Sequence, residues 1–413
     1  MKQIQVEEIP YNVKSNSVFE INSTNVNYFS HGFFKYPCKF IPQIPRWAIQ
    51  QYSKPGDIVL DPFAGSGTTL VESVLNKRIG LGIDFDKFSQ LLCKVKTTKY
   101  DKKLIDKIRT KSNNFKVSTE ENRKFMPDLH NLSHWFPKQN ISKLSSLLGE
   151  IEQYSSDKKC YNFFLVCFAS SIRKCSFADD VSPKPYISTR IKKIPLDVKE
   201  VFLKNVKSYL KNLEQFGSVE LGKSTIISND ARDIKNRKFD GKVQLAVTSP
   251  PYINAFDYVR SLRLENTWLG YYGDKNILDI KQKQIGTETI YQKDYFEIES
   301  TGIKKLDKIT DKIFKIDKKR AHIVQKFFFD MSKNMLEIKR LLKNNGHYVI
   351  VVGNSTIRGI DVPTNELLLE IAKINGFDLE NMFSYVIKNR YLRIPRSGKG
   401  GLIKKDWVID LVK

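Results

Sequence analysis

Residues 57–96 alternate twice between a short apolar run and a longer stretch of helical periodicity, and that order narrows the fold sharply. Residues 57–60 read as a strand, and Gly65, Ser66 and Gly67 turn the chain into a helix reaching about Lys77. Residues 79–83 read as a second strand and residues 87–96 as a second helix. Strands joined through a helix run parallel, so an α/β domain on a mostly parallel, twisted sheet is predicted. Ahead of this block, residues 1–30 are polar without clear periodicity and read as an arm or a peripheral strand. The Pro-punctuated run 40–52 includes Pro45 as the first residue of a helix, which Lys54, Pro55 and Gly56 then break.

The rhythm breaks over residues 101–220, where apolar positions recur at helical spacing in residues 141–151, 161–172 and 198–213. That span is expected to be an inserted helical domain, with residues 31–100 forming the first part of the α/β domain. Strand-like runs return at 224–228 and 243–247, a helix follows over about 256–269, and residues 221–413 complete the same domain. Residues 271–320 read as a second, smaller, Lys-rich insertion, in which 304–320 carries eight basic against three acidic residues and reads as a solvated helix. A long amphipathic helix over about 323–342 leads to a strand at 348–352, and a helix covers about 364–374. Closing strands near 383–387 and 407–412, joined by the basic loop 389–401, are expected to form a terminal antiparallel hairpin at one edge.

The 413 residues suit two or three structural units, and 69 Lys plus Arg against 45 Asp plus Glu leave a net charge of +24. Spread along the chain, that excess predicts a polyanionic partner, because neutralising phosphates releases condensed counterions. A Lys-rich solvated surface is the plainer alternative. Cys38, Cys93, Cys160, Cys167 and Cys175 lack CxxC spacing and read as reduced core thiols, which implies a cytoplasmic protein with no metal site. The first residues do not form a signal peptide, and the most apolar stretch, 161–172, is about half of what spans a bilayer, so no membrane association is expected.

The loop Asp61-Pro62-Phe63-Ala64-Gly65-Ser66-Gly67-Thr68-Thr69 lies between a strand and a helix. Glycines there let backbone approach a ligand, and the helix N-terminus offers free N–H groups to an anion. Asp84, about 20 residues on at the end of the next strand, is placed to take both hydroxyls of a ribose. A dinucleotide site shares this geometry, but the loop lacks the Gly-x-Gly-x-x-Gly spacing of a pyrophosphate site. With Asp61 and Phe63 ahead of its glycines, it resembles the cofactor motif of bacterial DNA amino-methyltransferases, Asp-Pro-Phe-x-Gly-x-Gly-Thr.

A second segment carries the same resemblance. The strand at 243–247 ends in Thr248-Ser249-Pro250-Pro251-Tyr252. By itself this is a rigid loop at the sheet edge where α/β proteins bind ligands, or an ordinary Pro-rich turn. Beside the first loop, it resembles the active-site motif of those methyltransferases, in the Ser form typical of enzymes acting on cytosine N4.

The resemblance implies a Rossmann-like S-adenosylmethionine-dependent fold and a restriction-modification enzyme that methylates a flipped cytosine in double-stranded DNA. Such an enzyme acts as a monomer, is nucleoid-associated while on DNA, and is paired functionally with a cognate restriction endonuclease. Ser249, Pro250, Pro251 and Tyr252 are the expected catalytic residues: the Ser249 hydroxyl and Pro250 carbonyl orient the amino group and Tyr252 stacks on the base. The cofactor is expected at Tyr36, Asp61, Phe63, Ala64, Gly65, Ser66, Gly67, Thr68, Thr69, Asp84, Phe85 and Asp230, of which Asp230 reads equally as a helix N-cap. Adenine N6 is the first alternative target, with RNA or protein as others, and a non-catalytic nucleic-acid-binding protein on the same fold is a further alternative. In many enzymes with Ser-Pro-Pro-Tyr the catalytic motif precedes the cofactor loop; here the order is reversed, so the target-recognition region cannot be transferred. Its candidates are the inserted domain 101–220, with Trp135 and Phe136, Arg173 and Lys174, and residues 184–193 including Lys184 and Arg190, then residues 281–320 and the loop 390–399 with Arg393 and Arg396; for any one of them a solvated or structural role is the plainer reading.

Overall fold

The computed structural model describes residues 3–22, 25–216, 219–253, 257–291, 295, 297–387 and 403–413. Its strands in chain order are β1 (Ile4–Val6), β2 (Val18–Ile21), β3 (Ile58–Asp61), β4 (Ile79–Ile83), β5 (Lys223–Ser228), β6 (Val243–Thr248), β7 (Leu342–Gly353), β8 (Ser355–Ile357), β9 (Ile360–Val362), β10 (Asp378–Val386) and β11 (Lys405–Val412). Nine of them form one sheet in the order β1-β2-β10-β11-β7-β6-β3-β4-β5, while β8 and β9 pair separately. Only the β10–β11 and β11–β7 pairs of that sheet are antiparallel. The rest of the sheet is parallel. This is the Rossmann-like α/β arrangement that the strand-helix rhythm predicts.

Side-chain alternation shows why the centre of the sheet is covered on both faces. Along β7, Val349 and Val351 enter a core with Trp47, Ile44 and Ile49 of the helix Gln43–Tyr52. Tyr348, Ile350 and Val352 point the other way, into a core with Phe327, Met331 and Met335 of the helix Lys318–Leu341 and Leu367 and Leu368 of the helix Thr364–Ile374. A strand buried on both faces must be apolar at consecutive positions, as residues 348–352 are. Each such aliphatic or aromatic side chain contributes roughly 1.5–3 kcal/mol relative to exposure.

Between β4 and β5 the chain leaves the sheet. The helices Lys102–Asn113, Lys138–Glu152, Lys158–Ile172 and Val198–Glu214 pack around Phe163, Phe164, Phe168 and Phe202, and their core runs on into Phe88 and Leu92 of the helix Lys87–Lys96.

Several expectations change in detail. The closing hairpin forms, but not at the edge: β2 pairs in parallel with β10, and β1 with β2, so part of the polar N-terminal stretch extends the sheet. The helix expected over 256–269 is two short helices, Tyr258–Ser261 and Arg263–Trp268, that meet at Leu262. The Lys-rich helix Lys304–Phe314 is solvated on one side only, since Leu306, Thr310 and Ile313 are buried. Four cysteines are buried as expected, whereas Cys38 is exposed. Among the described residues no helix is long and apolar enough to cross a membrane.

Candidate active site

Strands β3 and β6 are neighbours in parallel register, with Leu60 opposite Ala246, so the loops that follow them leave the same sheet edge. One buried hydrogen bond joins those loops directly. The Thr248 hydroxyl donates to Asp61 Oδ1 at 2.5 Å across 187 positions of sequence. The Phe63 N–H donates to the same oxygen at 3.0 Å, and the Thr69 hydroxyl donates to the Val247 carbonyl at 3.3 Å. Burial pushes the Asp61 carboxyl up to about 6, while hydrogen bonds from Thr248, Thr69 and the Phe63 N–H oppose that rise.

Asp84, at the end of β4, organises the glycine loop. Its Oδ2 accepts from the Gly65 N–H at 2.7 Å and its Oδ1 from the Asp86 N–H at 2.8 Å. Burial, reinforced by the Asp86 charge nearby, raises its carboxyl to about 7. Gly67 has φ +76°, and a Cβ there would lie 3.0 Å from Cys93 Sγ, so a side chain at this turn is both strained and crowded. From behind, the fully buried Lys96 amine donates to the Ser66 carbonyl at 2.7 Å; burial first, and Lys39 second, push that amine down to about 7.

In front of the loop lies a cavity of about 410 Å³, within the roughly 300–1,000 Å³ usual for small-molecule sites. Phe63, Ala64, Gly65, Ser66 and Thr68 line it together with Asp84, Phe85 and Asp230. Ser249 and Pro251 open onto it as well, with Tyr36 on its wall. Asp61, Gly67 and Thr69 are buried and hold the loop without lining the cavity, and Pro250 is buried beside Ser249.

Tyr252, next in the chain to the lining residue Pro251, is half-buried and does not itself line this cavity; its hydroxyl donates to Asp406 Oδ1 at 3.0 Å. The Tyr385 hydroxyl donates to Asp406 Oδ2, also at 3.0 Å, so one carboxylate on β11 clamps two phenols. Burial raises the Asp406 carboxyl to about 6, while the Tyr385 and Tyr252 hydroxyls oppose that rise.

Asp230 caps a turn and not a helix: its Oδ1 accepts from the Arg232 N–H at 2.9 Å, and the Arg232 guanidinium bonds both carboxylate oxygens at 2.9 Å. Burial works against this carboxylate, but Arg232 outweighs it and holds the group below its ordinary range.

The sequence reading missed several lining residues. Lys39 and Cys38 follow Tyr36, and Tyr258, Tyr271, Tyr272, Gln284 and Ile285 come from the region after the Pro-rich loop. Tyr36 stacks on Tyr258 with centroids 6.3 Å apart and donates to or accepts from Ser89 Oγ at 3.0 Å.

The basic candidates are dispersed. Arg173 is turned inward, donating to the carbonyls of Ser182 at 2.6 Å and Ser261 at 3.0 Å. Lys174 and Arg190 are exposed and Lys184 is half-buried. Phe136 is buried edge-on against Trp268. Arg393 and Arg396 lie outside the described residues.

The model of the DNA methylase family N6_N4_Mtase matches residues 2–94. The type II methyltransferase M.MvaI of Kocuria varians is 27% identical over 409 residues, covering 90% of this chain and 87% of that one. M.AvaI of Nostoc sp. is 23% identical over 408 residues, covering 88% and 82%, and M.BsoBI of Geobacillus stearothermophilus is 24% identical over 419 residues, covering 89% and 82%. The chain is thus similar to type II methyltransferases over most of its length, and residues 2–94 to the DNA methylase family.

Proposed function

We propose that this chain transfers the methyl group of S-adenosylmethionine to the exocyclic N4 amino group of a cytosine in double-stranded DNA. The observation that carries the reading is the Thr248–Asp61 bond, which sets Ser249 and the glycine loop on one cavity. The residues present fit the cofactor: a positively charged sulfonium suits a wall bearing the carboxylates of Asp84 and Asp230, and the glycine loop leaves backbone open to the ligand. Asp84 would take the ribose hydroxyls, Asp230 would face the adenine end, and residues 64–68 with Tyr36 would hold the methionine end. The cofactor supplies an electrophilic methyl on sulfur.

An exocyclic amino nitrogen is a poor nucleophile because its lone pair is delocalised into the ring. The Ser249 hydroxyl and the Pro250 carbonyl would accept hydrogen bonds from its two N–H groups and turn the lone pair toward the methyl carbon; as the N–C bond forms, the methyl–sulfur bond breaks and one of those N–H protons is released. The two prolines fix that carbonyl, and Tyr252, held by Asp406, offers a flat face to the extruded base. The modified base would protect DNA from a paired endonuclease.

The test is to incubate duplex DNA with the protein and methyl-labelled cofactor, hydrolyse it and separate the nucleosides. Labelled N4-methylcytidine is expected. Label in N6-methyladenosine would move the target to adenine, and bound but unlabelled DNA would leave a nucleic-acid-binding protein. Ser249→Ala is expected to lower kcat by about 100-fold with cofactor affinity nearly unchanged, the pattern for an interaction made mainly with the acceptor in the transition state.

A further inference from the structure

Residues 179–196 concentrate a feature found nowhere else at this density among the described residues. Of the fifteen large apolar side chains that stand exposed, five fall in this one segment: Val181, Tyr186, Ile191, Ile194 and Leu196. Ile191 and Ile194 are 76% and 83% exposed. Single exposed apolar residues are ordinary, but a cluster of them marks an interaction surface.

The segment is not a loose loop. The Lys193 amine donates to the carbonyls of Arg173 at 2.6 Å and Ala178 at 2.7 Å and pairs with Asp180 at 2.8 Å. Asn140 Nδ2 donates to the Leu196 carbonyl at 3.0 Å. Two further bonds tie the segment to the cavity walls. Lys35, next to the lining residue Tyr36, donates to the Asp180 carbonyl at 2.8 Å. Arg173, which holds the Ser182 carbonyl, also holds that of Ser261, in the same short helix as the lining residue Tyr258. A fixed base therefore presents exposed tips beside the catalytic cavity.

Charge indicates the occupant. The acidic groups of the segment are consumed internally: Asp180 by Lys193, Asp179 by the N–H groups of Val181 and Ser182, and neighbouring Asp197 by Lys143 at 2.5 Å. Arg190 and Lys192 remain exposed among the isoleucines. Cations interleaved with apolar tips match a polyanion whose interior is a stack of flat apolar rings, which is duplex DNA.

We infer that residues 179–196 form a DNA-engaging wedge, in which Arg190 and Lys192 contact phosphates while Ile191 and Ile194 press against the base stack where the target nucleotide leaves it. This inference rests on the methyltransferase reading proposed above. A base can reach Ser249 only by leaving the helix, and apolar side chains at the rim would fill the gap that it opens.

Two double variants separate the roles, and both alter exposed side chains, so thermal melting and cofactor binding serve as controls for folding. In Arg190→Ala with Lys192→Ala, the slope of log affinity for a random-sequence duplex against log salt should fall by about 1 to 2, since each phosphate contact contributes about 0.9. In Ile191→Ser with Ile194→Ser, that slope should stay unchanged. On an oligonucleotide carrying the methylated site, located by sequencing the modified DNA, this variant's kcat/KM should drop about tenfold or more and recover when the target base is mispaired and already unstacked. If wild-type protein methylates duplex DNA while both variants match it in slope and rate, the wedge is overturned alone. If wild-type protein neither binds nor methylates duplex DNA, the parent reading fails and takes the wedge with it.

Discussion

Replacing Asp84 with alanine is expected to weaken S-adenosylmethionine binding by roughly 100- to 1,000-fold. Two ribose hydroxyls donating to a carboxylate are charge-assisted hydrogen bonds worth about 1.5–3 kcal/mol each, so losing both removes at least about 3–4 kcal/mol. Equilibrium dialysis of labelled cofactor measures the change. A loss below tenfold would remove Asp84 from the ribose site. Its raised pKa gives the effect a pH signature. The carboxyl titrates near 7, so binding should strengthen from pH 6 to pH 8, by at most about tenfold per unit below 7, and level off above. Asp84→Asn should flatten that profile. Stability moves the other way. A carboxyl raised above its unfolded value of about 3.9 contributes stability that is present at low pH and lost as pH rises through the folded value. The Tm of unbound wild type relative to Asp84→Asn should therefore decline between about pH 4 and pH 7 and level off above.

A second large effect is expected at Asp406, which clamps Tyr252 and Tyr385. Asp406→Ala should lower kcat by about 100-fold while cofactor affinity stays within about twofold, because misplacing a stacking surface by about an ångström costs that much in rate. The variant also leaves two phenols without their acceptor, at a cost of roughly 1–3 kcal/mol each in stability. A double-mutant cycle distinguishes positioning from general damage. Where Asp406 acts through the Tyr252 hydroxyl, Tyr252→Phe and Asp406→Ala are strongly non-additive in kcat. Additive losses would mean that Asp406 serves the fold and not the base site. Asp406→Asn, which keeps one acceptor oxygen, should recover part of the rate.

Both motif loops were legible in the sequence because each sits on a local pattern: a short apolar strand, then residues whose backbone requirements are unusual. The parallel sheet followed from the strand-helix rhythm. What could not be read were pairings between distant segments. Nothing in Val18–Ile21 says that it will lie against β10, more than 360 positions away, because a four-residue strand carries no register information beyond its own alternation. The tyrosines at 258, 271 and 272 reach the cavity through a region whose helices are short and broken at Leu262, where no sustained period marks an inward face. Asp406 did leave a signal. In the strand Lys405–Val412, Asp406 and Asp410 share a face with apolar Val408, and a carboxylate on a buried face needs a partner. Each has one: Asp410 takes His347 Nδ1 at 2.9 Å, and Asp406 takes the two tyrosines. The conspicuous basic residues proved a poorer guide, since charge count does not reveal that Arg173 is spent on carbonyls inside the protein.

The position of β11 has a consequence for how the protein comes into being on the ribosome. Residues 405–412 lie between β10 and β7, in the middle of the sheet, and carry the carboxylate to which the Tyr252 hydroxyl donates. Order of synthesis and order in space are thus opposed: until these residues have emerged, β10 has no bridge to β7 and the Tyr252 hydroxyl lacks this acceptor. A nascent or prematurely terminated chain can assemble the cofactor loop and still lack the strand that joins the two parts of the sheet. Chains truncated before residue 405 are accordingly expected to be inert on DNA.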